Sequence, residues 1–148
     1  MQVANSIIRK YRECDLDDVL RIWLKGNLEA HPFISSSYWK RYLGMMPTAL
    51  SQANVVVYEI KDKVVVFAGM SGCYIEGLFV MKEYQGRGIG HSIMSHLKSN
   101  NSNICLRVYE KNLKAINFYS SEEFKVIEHT LDEETTEKEF IMCWQSQL

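Results

Sequence analysis

The stretch "EYQGRGIGHSI", residues 83–93, decides how the middle of the chain folds. Gly86, Gly88 and Gly90 occupy alternate positions, and an apolar helical pattern follows them. Glycines before a helix allow another group to approach the backbone closely, and the first N–H groups of the helix have no partners of their own. Together with the positive end of the helix and the charge of Arg87, the turn favours an anion, and a pyrophosphate suits it best.

Two common nucleotide motifs do not match this stretch. A phosphate-binding Walker loop needs a Lys-Ser or Lys-Thr pair after its last glycine, and none follows Gly90. A dinucleotide fingerprint needs one more residue between its last two glycines and lies near the first strand of its domain, whereas this stretch follows the fourth predicted strand. On these residues alone, a tight strand-to-helix turn with no ligand remains an alternative.

The composition is that of one globular domain spanning residues 1–148. The chain is 47% apolar and 24% charged, and its net charge of −1 argues against a basic surface for nucleic acid. No apolar run reaches the roughly 18–20 residues of a membrane-spanning helix, and the first residues do not resemble a secretory signal. We therefore expect a cytoplasmic protein with no nucleic-acid or membrane partner, either a monomer or a homodimer.

The cysteines and histidines show no metal-binding spacing. Cys14, Cys73, Cys105 and Cys143 are far apart in the sequence and form no C-x-x-C pair, which predicts free thiols and no metal. The histidines that follow the glycine turn, His91, His96 and His129, are expected to be structural or exposed.

Periodicity predicts the element order β-α-α-β-β-β-α-β-α-β-β. Asp15 is expected to cap the first helix, and Pro47 is expected to close the second. Gly77, inside the fourth strand, suggests a bulge. This order indicates an α/β domain with a mixed sheet and helices on its faces.

Two motifs together resemble the GNAT superfamily of N-acetyltransferases. "LFVMKEYQGRGIG" (78–90) matches its coenzyme-binding element through Gln85, Arg87, Gly88 and Gly90, and "VYEKNLKAINFY" (108–119) matches the helix that follows one strand later. The stretch "IWLKGNLEAHPFISSSYW" (22–39) and the closing "IMCW" (141–144) are similar to the small bacterial YiaC-like branch. The resemblance thus covers nearly the whole chain.

The resemblance implies a fold, a reaction and a set of ligand contacts. The fold is α/β (α+β), a single GNAT domain whose mixed, mostly antiparallel sheet of six to seven strands is flanked by about four helices. The reaction is transfer of acetyl from acetyl-CoA to a primary amine, on a protein lysine, an N-terminus or a small molecule. The residues assigned to the coenzyme are Leu78, Phe79, Val80, Gln85, Gly86, Arg87, Gly88, Ile89, Gly90, His91, Asn112, Ala115 and Tyr119.

The chemistry needs an acid, a base and donors for an oxyanion. A lysine amine with a pKa near 10.4 is mostly protonated at pH 7, so presenting it neutral costs about 4–5 kcal/mol. The resemblance places Tyr119 beside the coenzyme sulfur, where it would act as general acid. The alternative is that Tyr119 is an ordinary half-buried aromatic residue. Glu76 and His31 are the two candidates for the general base. The alternative for Glu76 is a solvated strand residue, and the alternative for His31 is a residue that anchors its loop by hydrogen bonding. An irregular strand from Gly77 would free N–H groups for the thioester oxygen.

The acceptor pocket is expected around Phe33, Tyr38 and Trp39, whose rings suit a lysine stem and its cationic head. The alternative is that these rings only pack the second helix. The acidic run at 132–139 could attract a cationic acceptor or simply be solvated. A non-catalytic acyl-CoA-binding or sensor domain of the same fold is the rival function.

Two positions depart from the family pattern. Lys82 stands where a proline is frequent, in a connecting turn where the change matters little. Glu123 stands where a glycine is usual, and a left-handed conformation there would cost a non-glycine residue about 1 kcal/mol.

Overall fold

Seven strands and five α-helices form between residues 5 and 147, the part of the chain that the computed structural model describes. In chain order they are β1 (Ser6–Lys10), α1 (Leu16–Ala30), α2 (Ser36–Leu43), α3 (Met46–Gln52), β2 (Asn54–Ile60), β3 (Lys63–Ser71), β4 (Tyr74–Val80), α4 (Ile89–Ser99), β5 (Asn103–Tyr109), α5 (Leu113–Ser121), β6 (Lys125–Asp132) and β7 (Glu137–Gln145). This is the predicted order with one additional helix, α3.

The strands make one sheet in the order β1-β2-β3-β4-β5-β7-β6. Neighbouring strands are antiparallel except β4 and β5, which pair in parallel. Their parallel ladder consists of two pairs, Tyr74 with Cys105 and Ile75 with Leu106. Beyond these pairs the two strands diverge. The predicted fold class, a mixed and mostly antiparallel sheet with helices on its faces, is confirmed.

A β-bulge lies where β4 leaves β5. In the ladder between β3 and β4, Gly69 is opposite Gly77 and Met70 is opposite Ile75, so Glu76 has no opposite residue. An extra residue of this kind bends its strand and redirects its side chain. The bulge expected near Gly77 is therefore confirmed, and Glu76 is its unpaired residue.

Helices cover both faces of the sheet. On one face, α4 and α5 bury Ile93, Met94 and Tyr119 against the largest apolar cluster. On the other face, α1 and α3 bury Val19 and Leu50 against β2 and β3. Burial of apolar surface stabilises the packing of these helices on the sheet by about 25 cal/mol for each Å² removed from water. The cleft described below lies between these two layers, where the sheet opens.

A third apolar cluster joins α2 to the second half of the sheet. Ile34, Trp39 and Tyr109 are buried in it, and Phe33 and Tyr38 pack against them. The ring of Trp39 also meets that of Trp23 on α1 edge to face. The segment after α1 is thereby fixed beside the end of β5.

The prediction that Pro47 ends the second helix is wrong. Helix α2 ends at Leu43, and Pro47 lies in the first turn of α3. A proline is well accommodated there because the first N–H groups of a helix have no internal partner. The same residue type can therefore mark either end of a helical pattern.

Asp15 stands before α1, but its side chain makes no cap hydrogen bond to that helix. Instead its carboxylate accepts two hydrogen bonds from the Arg9 guanidinium, at 2.8 and 2.9 Å, and one from the Arg12 N–H at 2.8 Å. The prediction that Asp15 caps α1 is therefore wrong. Its carboxylate binds the charged guanidinium from β1, which is a stronger donor than the neutral amides of the helix.

Cys105 and Cys143 form a disulfide, so the prediction of four free thiols is wrong for this pair. The two residues are 38 positions apart in the sequence but directly opposite in the ladder between β5 and β7. Spacing along the chain reveals C-x-x-C motifs and not strand pairing. Cys14 and Cys73 are free and exposed.

Both departures from the family pattern lie where the sequence predicted. Lys82 is in a short 3-10 turn between β4 and the glycine turn. Glu123 follows α5 with φ +71°, the left-handed region that favours glycine.

Candidate active site

A cleft of about 1760 Å³ opens where β4 and β5 diverge. Its walls are the end of α1, strand β4, the glycine turn, β5 and the start of α5. Of the residues that the sequence assigned to a site, those lining it are His31, Phe33, Tyr38, Trp39, Glu76, Leu78, Phe79, Val80, Gln85, Gly86, Gly88, Gly90, His91, Asn112, Ala115 and Tyr119. Most of the predicted set is thus brought together in one place.

Two predicted residues do not line the cleft. Ile89 is 2% exposed and belongs to the core beneath α4, so only its backbone could reach a ligand. Arg87 is exposed, and its guanidinium lies 5.3 Å from the centre of the Tyr84 ring. It stands within the glycine turn, between Gly86 and Gly88.

Glycine is required at these three positions for two different structural reasons. Gly86 and Gly88 have φ values of +75° and +79°, a conformation that other residues adopt only with strain. Gly90 has an ordinary helical position, but a Cβ there would lie 3.1 Å from the Phe118 ring. The first two glycines shape the turn, and the third lets α4 pack closely on α5.

Helix α4 begins immediately after Gly88. The N–H groups of its first turn have no carbonyl partners within the helix, and they point along the helix axis towards the cleft. Added Cβ atoms at Gly86 and Gly88 would meet nothing within 4 Å, so the turn is sterically open. Open backbone donors at a helix start suit a phosphate group.

Gln85 holds the turn rather than presenting a free side chain. Its Nε2 donates to the Val80 carbonyl at 3.0 Å, and its Oε1 accepts from the Lys114 ammonium. The residue therefore ties the end of β4 to the start of α5. His91 is likewise engaged, because its Nδ1 lies 2.8 Å from a carboxylate oxygen of the buried Glu122.

Asn112 caps α5 and also contacts the other side of the cleft. Its Oδ1 accepts from the Ala115 N–H at 3.2 Å, and its Nδ2 lies 3.3 Å from His31 Nε2. Because the cap uses the oxygen, the amide nitrogen is the donor, and His31 Nε2 is the acceptor. The proton of the neutral imidazole is then on Nδ1, which has the Asn27 carbonyl nearby but makes no hydrogen bond of good geometry within residues 5–147.

His31 is held uncharged by its surroundings. It is 8% exposed, stacked on Trp39 with ring centres 5.2 Å apart, and burial lowers its pKa to about 4, slightly opposed by the Asn27 carbonyl. Its one acceptor nitrogen is already used by Asn112. In this arrangement His31 is suited to positioning Asn112 and has no lone pair left to take a proton from a substrate.

Tyr119 lies on α5 two turns beyond Asn112, at the inner wall of the cleft. Its ring packs against those of Phe118 and Phe124. Burial raises the pKa of its phenol to about 12, so the hydroxyl keeps its proton at neutral pH. A protonated phenol in a cleft can donate a hydrogen bond or a proton.

Glu76 is exposed at the cleft rim, on the bulge. Beyond it, Gly77–Val80 pairs with β3 on one edge and faces the gap on the other, since the ladder with β5 ends at Ile75. Backbone groups on that edge are open to a ligand running along β4. The expected irregular strand is confirmed, and the carboxylate of Glu76 lies at the start of the gap.

At the far end of the cleft, sequence reasoning missed Tyr42 and Tyr109 and treated the carboxylates only as part of the acidic run at 132–139. Tyr109 is buried, and its hydroxyl donates to Asp132 at 2.7 Å; burial first, and then this carboxylate, raise its pKa. The Tyr42 hydroxyl bonds to Glu134. Glu139, on β7 opposite Tyr109, is 9% exposed and lines the cleft. Alternation in β5 indicated that Tyr109 faces away from Val108, but cross-strand neighbours are not visible in one sequence.

Within residues 5–147, no group of three or more His, Cys, Asp or Glu side chains could hold a metal ion. In the same range, none of the helices has the length and apolar character needed to cross a membrane.

The sequence model of the acetyltransferase (GNAT) domain family matches residues 51–126, from the end of α3 into β6. The peptidyl-lysine N-acetyltransferase YiaC of Escherichia coli is 31% identical over 140 residues, which are 93% of this chain and 96% of that protein. The peptidyl-lysine N-acetyltransferase YjaB of the same organism is 28% identical over 120 residues, covering 80% of this chain and 82% of its own.

Solved structures share the whole fold. Apo YjaB from Escherichia coli superposes with a TM-score of 0.84 at 24% identity, over 95% of this chain and 98% of its own. The PaiA N-acetyltransferase of Thermoplasma acidophilum, in complex with coenzyme A, gives 0.80 at 17% identity with the same coverages. The divergent strands, the glycine turn and the domain match agree, and the chain belongs to the GNAT family of acetyltransferases, which transfer an acetyl group from acetyl-CoA to an amine.

Proposed function

We propose that this enzyme acetylates lysine side chains of proteins, with acetyl-CoA bound along β4 and the glycine turn. The observation that carries the proposal is a single cleft with two chemically different ends. One end offers open backbone donors at the start of α4. The other is walled by aromatic rings and carboxylates that suit a long aliphatic stem with a cationic tip. The names of the two relatives support the same acceptor class.

In this proposal the pyrophosphate lies on the N–H groups after Gly86 and Gly88, with Arg87 beside it. The pantetheine arm runs along the open edge of Leu78, Phe79 and Val80 towards α5. Backbone N–H groups on that edge would stabilise the thioester oxygen as negative charge develops on it. This placement uses donors that have no partner in the ladder with β5.

The transfer itself needs two proton movements. The amine nitrogen attacks the thioester carbon, the C–N bond forms, and the C–S bond breaks. Tyr119, whose phenol is protonated beforehand, gives its proton to the leaving thiolate and regains one from water before the next turnover. Protons released by the amine pass to Glu76, directly or through water, since this carboxylate is exposed at the rim.

The proposal is tested by acetyl transfer to an N-terminally blocked lysine peptide, with thermal unfolding measured in acetyl-CoA, NAD and ATP. We expect acetyl-CoA to raise the unfolding temperature and the peptide to gain acetyl groups on lysine. Stabilisation by acetyl-CoA with no transfer to any amine would favour the rival function, a non-catalytic acyl-CoA-binding domain. Stabilisation by NAD or ATP instead would contradict the coenzyme assignment.

A further inference from the structure

Glu139 differs from the other carboxylates at the acceptor end of the cleft. Asp132 accepts a hydrogen bond from the Tyr109 hydroxyl, and Glu134 accepts one from Tyr42. Within residues 5–147, no such bond reaches the carboxylate of Glu139 with good geometry. Its nearest cation is Arg107, with an N–O distance of 3.9 Å, at the limit of an ion pair.

This carboxylate is also largely shielded from water. Glu139 is 9% exposed, and the small exposed part faces the cleft. Burying a charged group without hydrogen bonds is unfavourable, and native proteins rarely keep one without a partner. The half-exposed Arg107 compensates this only in part. The carboxylate therefore keeps hydrogen-bonding capacity for a group that enters the cleft.

The surroundings define the partner's chemistry. Glu139 is opposite Tyr109 in the ladder, so both side chains leave the same face of the sheet. The Tyr109 ring is 5.1 Å from that of His31 and 5.7 Å from that of Phe33. A carboxylate at the end of an aromatic wall fits an aliphatic chain that ends in an ammonium group.

The electrostatics agree with this geometry. Burial first, and then the negative charge of Asp132, raise the pKa of Glu139, while Arg107 opposes the shift. A cation arriving in the cleft would favour the charged carboxylate and relieve this energetic penalty. His31, held neutral, adds no competing positive charge on the same wall.

We propose that Glu139 is the acceptor-binding residue that holds the ammonium group of the incoming lysine and so selects cationic amines. This inference rests on the proposed function, since it assumes a lysine acceptor. Glu139 would fix the amine on the β7 side of the gap until it loses its proton and attacks the thioester. Its role is recognition of the acceptor, separate from coenzyme binding at the glycine turn.

The test compares acceptor kinetics of the wild type, Glu139→Gln and the control Glu128→Gln, an exposed carboxylate on β6 that does not line the cleft. With a blocked lysine peptide, we expect KM for the peptide to rise about 10- to 100-fold in Glu139→Gln, the effect of losing a charged hydrogen bond. KM for acetyl-CoA and the unfolding shift that it produces should stay unchanged. Glu128→Gln should match the wild type.

A second probe separates charge recognition from packing. The same peptide with norleucine in place of lysine keeps the stem without the ammonium group, and its inhibition constant should be equal for wild type and Glu139→Gln. An unchanged KM for the lysine peptide in the variant would overturn the inference while leaving the proposed function intact. A wild type that acetylates no lysine peptide overturns both. If the glutamine variant does not fold, Glu139→Asp serves, with a smaller rise in KM expected.

Discussion

At the scale of single residues, His31 shows how burial decides what a side chain can do. From the sequence it was a base candidate because a free imidazole titrates near neutral pH. In the structure its acceptor nitrogen is occupied by Asn112, and its pKa is lowered to about 4. The residue therefore links the acceptor wall to the cap of α5. No sequence pattern identifies this link, because the two residues are 81 positions apart.

The lowered pKa of His31 predicts how stability depends on pH. The unfolded chain binds a proton at His31 below about pH 6.5, while the folded chain resists it until about pH 4. Stability from this residue is thus present above pH 6.5 and is lost as the pH falls between these values. The total loss is about 3 kcal/mol at 1.36 kcal/mol per pKa unit.

Urea unfolding of wild type and His31→Gln between pH 7 and pH 4 checks this expectation. The free energy of unfolding should fall more steeply with decreasing pH in the wild type than in the variant. The control is His129→Gln, which removes an exposed histidine on β6. Equal slopes for wild type and His31→Gln would show that the pKa of His31 is the same in the folded and unfolded chain, against this expectation.

The sequence predicted the residues of local motifs better than those of long-range contacts. Asn112 and Tyr119 lie seven positions apart on one helix, so helical spacing places both on the same face. The positive φ of Glu123 was likewise predictable from a glycine pattern. Tyr109 was not identified, and Glu139 was considered only as one charge of the acidic run at 132–139, because their relation depends on which strands pair.

At the scale of secondary-structure elements, the Arg9–Asp15 pair fastens the first strand to the first helix. Asp15 is 4% exposed, and its pKa is lowered mainly by the hydrogen bonds from Arg9. Arg9 also reaches Glu59 on β2 at 3.0 Å. One guanidinium thus joins β1, β2 and the start of α1, the helix whose end carries His31.

Asp15→Asn is expected to lower the free energy of unfolding by about 2–4 kcal/mol, because it removes the charge of a buried carboxylate and leaves the partly buried Arg9 guanidinium poorly compensated. Chemical denaturation at pH 7 measures the loss. Asp18→Asn is the matched control on the same helix, since its pairing with Arg21 is exposed and such pairs contribute about 0–1 kcal/mol. Similar small losses in both variants would argue that the Arg9 pair does not fasten the strand.

The elements also show where pattern reading is ambiguous. Periodicity gave the seven strands and four of the five helices, because alternation and helical spacing are local signals. It merged α2 and α3, since a proline after an apolar helical pattern looks like an end signal. Only the position of Pro47 in the first turn of α3 distinguishes the two meanings.

At the scale of the whole molecule, the separation of β4 from β5 creates the cleft in which we place the reaction. Two pairs hold the strands together, and the bulge at Glu76 then directs β4 away. The glycine turn and α5 lie on one side of the gap, and the aromatic and acidic wall on the other. The family resemblance assigned residues to the coenzyme, and most of them line this cleft. The acceptor half depends on side chains from α1, β5 and β7 that meet only in the folded chain.

The most direct test is the rate of acetyl transfer from acetyl-CoA to a blocked lysine peptide, measured for wild type and Tyr119→Phe. Wild type should release coenzyme A in step with acetyl-lysine, and the variant should be about 100-fold slower in kcat, as expected for a lost general acid. Both proteins should gain similar thermal stabilisation from acetyl-CoA, because the proposed contacts at the glycine turn and along β4 do not involve the Tyr119 hydroxyl. Equal kcat values would return Tyr119 to a packing role, and coenzyme A release that does not depend on the peptide would contradict transfer to lysine.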